Sequence, residues 1–281
     1  MNYYTNLIQL FYNPATWIQL GDKPTATMED EKHQYQHNQG QQPEEVRSAS
    51  SDQEAQERRE RYIESVMEYI KHLNEGGSPS FEEALDNAGL VSGLELAGGL
   101  PILDDSEDMD RFLRRAEQRD EILKTIEIGA ALQRYFPHLA PLLVDEEQVL
   151  GEGVPIDPVE QRKAELFRIL GGGWRTTIIG EWFFEEAVER RGLRQRLDAI
   201  GVWPVLVSPD PFDIDEEPEQ SEQWGKEHPE EADKFSRDLH RDIKLRTELY
   251  IGALIARNFP GLFTNQEPDS IKPGNATHIA E

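Results

Sequence analysis

The sequence predicts an all-α protein, an irregular multi-helix bundle, and three observations carry that expectation. Apolar residues recur at three- and four-residue intervals over long stretches. Only one short run, WPVLV at residues 203–207, has the character of a strand. One helix-ending segment occurs twice, IGAALQRYFPHL at residues 128–139 and IGALIARNFPGL at residues 251–262. A single five-residue run is too little for a sheet, whereas the helical periods are long enough to bury a continuous face.

Taken in order, residues 1–20 are rich in aromatic side chains and suit a short docking segment. Residues 21–57 are dominated by Gln, Glu, Ser and His without helical or strand period, and read as disordered. His33 and His37 have a spacing that suits a metal on a helix, but their Gln-rich surroundings favour solvated histidines. We therefore expect a helical domain over 58–263, with a disordered tail at 264–281.

The first helix should start near Ser51, carry Tyr62, Val66, Tyr69, Ile70 and Leu73 on one face, and stop at Gly76 and Gly77. A short helix capped by Ser80 follows, ending at Gly89, and the Gly-rich stretch 90–101 reads as a buried turn. A long central helix is predicted from Met109 to Phe136, stopped by Pro137, which disfavours helical geometry in the residue before it. Another runs from Pro158 to Leu170, with proline inside its start and glycine past its end.

After Gly171, Gly172 and Gly173, the period resumes with Trp174, Ile178 and Trp182 in register, and residues 191–201 add a turn or short helix. Residues 207–233 hold eleven acidic side chains, one lysine (Lys226) and four prolines, and read as an exposed acidic loop. A closing helix is predicted from about Asp233 to Phe259.

The charge balance narrows the function classes. With 55 acidic and 29 basic side chains, the net charge of −26 opposes direct contact with nucleic acid or anionic lipid, and favours a basic protein partner or plain solubility. The chain has no cysteine, which removes disulfides, thiolate metal sites and thiol nucleophiles. Mean hydropathy is −0.68 and no apolar run is long enough for a bilayer, so the expectation is a soluble, intracellular, cytoplasmic protein with no membrane contact. The first residues lack a positive n-region, so the Asn275–Thr277 glycosylation pattern carries no weight in this reading.

The repeated segments lie 123 residues apart and agree at seven of twelve positions, Ile128, Gly129, Ala130, Arg134, Phe136, Pro137 and Leu139 matching Ile251, Gly252, Ala253, Arg257, Phe259, Pro260 and Leu262. Gly and Ala let another helix approach, Arg complements the helix dipole, and Phe-Pro ends the helix. The pattern suggests two similar helical halves, 58–143 and 158–263. Its functional version makes Arg134 and Arg257 a pair gripping an acidic ligand or partner; its plainer version has each arginine capping local carbonyls.

Two further constellations have chemical content. Gly172, Gly173, Arg175, Thr176 and Thr177 form a glycine-rich turn into a helix N-terminus, a candidate anion site, though the lysine of a Walker loop is missing. Glu181, Glu185 and Glu186 share a helix with Trp182, Phe183 and Phe184, so one carboxylate could face an apolar wall and act as an acid or base with Arg175. The plainer reading is a solvated face paired to Arg190 and Arg191.

No G-x-S-x-G, H-E-x-x-H, G-x-G-x-x-G or EF-hand pattern occurs, and no cofactor or metal is expected. The leading expectation is a non-enzymatic protein–protein interaction module of adaptor, assembly-factor or immunity/inhibitor type. The alternatives are an enzyme built on Gly171–Glu186, and an acidic mimic of nucleic acid or chaperone for a basic protein.

Overall fold

The computed structural model describes residues 45–104, 106, 108–143, 157–171, 174–212 and 217–263; within the helices, side chains are described outside 45–52 and 171–179. The described residues form nine α-helices and no strand: α1 Glu45–Gly76, α2 Pro79–Asn87, α3 Leu90–Leu96, α4 Met109–Tyr135, α5 Pro158–Gly171, α6 Trp174–Arg190, α7 Leu193–Ala199, α8 Pro218–Glu227 and α9 Pro229–Asn258. A one-turn 3-10 helix, Pro260–Phe263, follows α9.

The all-α class is as the sequence predicts, and the differences in detail have local causes. WPVLV forms no strand, because Trp203 is drawn into the helical core while Val205 and Val207 remain exposed. The stretch read as a buried turn is helical over Leu90–Leu96, where Leu90, Val91 and Leu94 supply a buried face that outweighs Gly93. Pro79 sits at the start of α2, so its N-cap is Ser78 and not Ser80. Within the acidic stretch 207–233, Pro218 and Pro229 open helices instead of breaking them.

Close packing divides the chain into two units, Met1–Gln53 with Ser208–Ala232, and Glu54–Val207 with Asp233–Glu281. In the smaller unit, the described side chains of α8 are held by local contacts: Trp224 stacks on His228 at 4.9 Å and Lys226 meets Glu222 at 2.8 Å.

The larger unit holds the core. Ile63, Val66, Met67, Ile70 and Leu73 bury one face of α1, and Phe81, Leu85, Leu90 and Leu94 close it from α2 and α3. At its centre α4 and α9 meet at their glycines. A Cβ on Gly129 would stand 2.0 Å from the Leu249 carbonyl oxygen, and one on Gly252 would stand 1.9 Å from that of Ile126. Leu249 and Ile126 are themselves equivalent positions in the 123-residue offset, so the contacts are reciprocal. Ile128, Ala130, Leu132, Ala253, Leu254 and Ile255 bury the surrounding surface, which supplies most of the favourable free energy of the pairing.

Each helix then ends in a side-chain lock. Gln133 Oε1 accepts the Ala140 N–H at 2.8 Å, closing the turn after Phe136, and Asn258 Oδ1 accepts the Leu143 N–H at 3.1 Å, tying the end of α9 to the chain leaving α4. These bonds satisfy backbone donors that the Phe-Pro breaks would leave orphaned inside the core.

Candidate functional site

An open cleft of about 500 Å³ lies between α2 and α3, with α4 behind it. Its lining includes four carboxylates, Glu82, Glu83, Asp86 and Glu95, and one guanidinium, Arg119. Local sequence explains the convergence. Glu82, Glu83 and Asp86 lie within one turn of α2, opposite the buried Phe81 and Leu85, while α3 buries Leu90 and Leu94 and so turns Glu95 outward. Arg119, largely buried on α4, donates to Glu82 at 2.9 Å, to Glu95, and to the Pro101 carbonyl at 3.0 Å.

Arg119 thus neutralises two of the four carboxylates and fixes both helices to α4. Glu83 and Asp86 make no ion contact among the described residues. Beside the cleft, Leu96 and Ile102 are 87% and 55% exposed, so an apolar shoulder flanks a negative concavity.

A second cluster, where α6, α7 and α9 meet, contains the carboxylates singled out in the sequence. Glu181 is 3% exposed and lies 3.7 Å from Arg246 Nε, while Glu185 accepts from Arg246 and, at 3.4 Å, from Arg194. Arg194 also donates to Asp242 at 3.1 Å and to the Pro204 carbonyl at 3.0 Å, and its guanidinium lies 3.8 Å over the Trp203 ring. Trp203 Nε1 donates to the same Asp242 oxygen at 2.9 Å.

Burial pushes the Glu181 carboxyl above its usual range, against the opposing pull of Thr247 and Arg246. Glu186, by contrast, pairs with Arg190 at the surface. The carboxylates are therefore not one solvated face paired to Arg190 and Arg191: two of them are tied up in an ion cluster that pins three helices.

The remaining sequence candidates separate. Gly172 and Gly173 lie outside the described residues; Arg175, Thr176 and Thr177 fall in the first turn of α6, with side chains outside them as well. His33 and His37 are also outside. Arg134 lies over the rings of Tyr135 and Phe263, at 5.9 and 5.6 Å, whereas Arg257 donates to His138 Nδ1 at 2.6 Å. The two arginines thus face different partners, and each reaches a residue beyond the end of the other's helix, Arg134 to Phe263 and Arg257 to His138.

Sequence reasoning did not single out Glu82, Glu83, Asp86, Glu95, Arg119, Arg194, Arg246 or Asp242. The i, i+3 and i, i+4 spacing on α2 was the one readable sign of the cleft; the rest depends on which faces α3 and α4 bury. Among the described residues, no group of three or more His, Asp or Glu side chains is arranged to hold a metal ion, and no helix is long and apolar enough to cross a membrane.

No family model, characterised protein or solved structure matches the chain.

Proposed function

We propose that the chain is a non-enzymatic helical module for protein–protein interaction, of adaptor, assembly-factor or immunity/inhibitor type, acting inside the cell on a partner that presents basic residues. The cleft carries this reading: Glu83 and Asp86 offer uncompensated negative charge next to exposed Leu96 and Ile102. A basic side chain entering between the carboxylates, with apolar neighbours resting on that shoulder, would combine charge complementarity with apolar burial. Glu181 and Glu185, the best acid/base candidates for an enzyme, are engaged by Arg246 and Arg194. That engagement supports the interaction reading over the catalytic one.

The repeated segment enters this reading as an internal duplication, supported by the reciprocal contacts of Gly129 with Leu249 and of Gly252 with Ile126. Its role is architectural, a central helix pair that fixes the surface around it.

The experiment is affinity capture with the full chain, its E83K/D86K variant and its R190Q variant, followed by direct binding of whatever is recovered. A partner held by the parent chain and R190Q but released by E83K/D86K supports the proposal. Recovery of no partner, or a partner indifferent to E83K/D86K, sinks it. Because both replaced side chains face solvent, the fold should tolerate the change.

A further inference from the structure

The corner after α4 is held in an unusual way. His138 has φ +69°, the left-handed region that a non-glycine residue enters at a cost. Two arginines from distant parts of the chain grip it. Arg191, after α6, donates through Nη2 to the Pro137 carbonyl at 2.9 Å, and Arg257, in the last turn of α9, donates through Nη1 to His138 Nδ1 at 2.6 Å. A guanidinium can only donate, so Nδ1 accepts and the neutral ring carries its proton on Nε2.

The polar side-chain atoms that Arg191, Arg257 and His138 still have to offer at this corner are therefore all donors. Arg191 Nη1 and Arg257 Nε are sealed from solvent and meet no acceptor among the described residues. Neither arginine has a carboxylate within 4.0 Å among the described residues, although the chain has 55 acidic side chains to 29 basic ones. Arg119, Arg194, Arg196 and Arg246 each meet one or two carboxylates. Two guanidiniums that meet no carboxylate among the described residues thus converge on one two-residue corner. Each guanidinium has further N–H groups beyond the sealed ones, and an oxyanion at the corner supplies them with acceptors and the missing charge.

We propose that Arg191, Arg257 and His138 form a binding site for the oxyanion group of a small phosphate- or carboxylate-bearing ligand. Pro137 and His138 are exposed, so such a group can reach the corner from solvent. The ligand is compact and not a polyanion, because two cations in a chain of net charge −26 do not offset repulsion of an extended phosphate backbone. The site lies on other residues than the acidic cleft and stands independently of the partner proposed there.

The test uses the full chain, titrated separately with inorganic phosphate and with acetate at ionic strength held constant with sodium chloride. The Nε–H resonances of the arginines and the His138 ring resonances are followed by NMR. The expected result is a saturable shift confined to Arg191, Arg257 and His138 for at least one anion. Phosphate alone assigns a phosphate ester and acetate alone a carboxylate ligand.

R191Q and R257Q should each raise the dissociation constant about tenfold or more, while R190Q, beside the site but paired to Glu186, leaves it unchanged. If the glutamine variants fail to fold, R191K and R257K retain charge but lose the fork, and weaken binding without abolishing it. No saturable shift with either anion, or shifts that persist unchanged when both arginines are replaced, overturns the proposal.

Discussion

The close approach of α4 and α9 makes a quantitative demand. In G252A the new methyl would lie 1.9 Å from the Ile126 carbonyl oxygen, and in G129A 2.0 Å from that of Leu249, against ordinary contact beginning at 3.4 Å. The opposing atoms are backbone, so no rotamer change relieves the overlap, and the helices must separate by about 1.5 Å. A gap of 0.5–1 Å already forfeits roughly a quarter to a half of each contact's dispersion energy. Overpacking at the upper end of about 3 kcal/mol, less about 1 kcal/mol returned by alanine's helix propensity, leaves a net loss near 2 kcal/mol for each variant. For a chain of this size that corresponds to roughly 4–8 °C in Tm.

The decisive measurement is the double variant in urea unfolding. A single separation of the helices relieves both overlaps, so G129A/G252A should lose little more than either variant alone, giving a coupling of about 1–2 kcal/mol. G76A, whose Cβ would meet nothing within 4 Å, is the control and should be neutral to stabilising by up to about 1 kcal/mol. A G252A chain within about 0.5 kcal/mol of the parent, or two losses that simply add, would refute the reciprocal contact.

Two further outcomes follow from buried charge. Burial pushes the Glu127 and Glu248 carboxyls up to about 7, against weaker opposing pulls from the Ser78 N–H and Arg134 at the first and from Lys244 and Thr125 at the second. Their folded-state pKa lies above the ordinary 4.5, so the stability they contribute is fully present below about pH 4.5 and lost as pH rises through about 7. The urea midpoint should therefore fall between pH 5 and 8, and E127Q/E248Q should flatten that fall; parallel profiles for the two chains would count against it. D242A removes the acceptor shared by Arg194 and Trp203, both largely buried, and should cost about 3 kcal/mol by thermal unfolding. The exposed Arg190–Glu186 pair should contribute under about 1 kcal/mol, and equal losses from D242A and E186Q would show that the buried cluster is not a clamp.

What the sequence made legible, and what it concealed, follows from the range over which each force acts. Helices α4 and α5 could be placed almost to the residue because their ends depend on neighbours: Pro137 acts on Phe136, and Pro158 presets the first turn of α5. The Gly-rich stretch containing α3 was misread because Gly93 weakens a helix locally, while burial of Leu90, Val91 and Leu94, which favours it, needs α2 and α5 already in place. Glu181 shows the same limit in a charged residue. Its spacing from Glu185 was plain, but its burial is imposed by α9, which brings Arg246 and Thr247 from more than 60 residues away.

The repeat drew attention to Arg134 and Arg257 as equivalent letters, yet the chain breaks the equivalence at the following turn, where His138 stands opposite Gly261 in the 123-residue offset. A ring nitrogen at His138 gives Arg257 an acceptor, and the turn after α6 adds Arg191. At Gly261 there is no side chain to play that part, and Arg134 lies over the rings of Tyr135 and Phe263 instead. The pair predicted from symmetry thus resolves into one arginine over aromatic rings and one that, with Arg191, meets no carboxylate among the described residues. Asymmetry within the repeat, rather than the repeat itself, is what singles out the corner at His138.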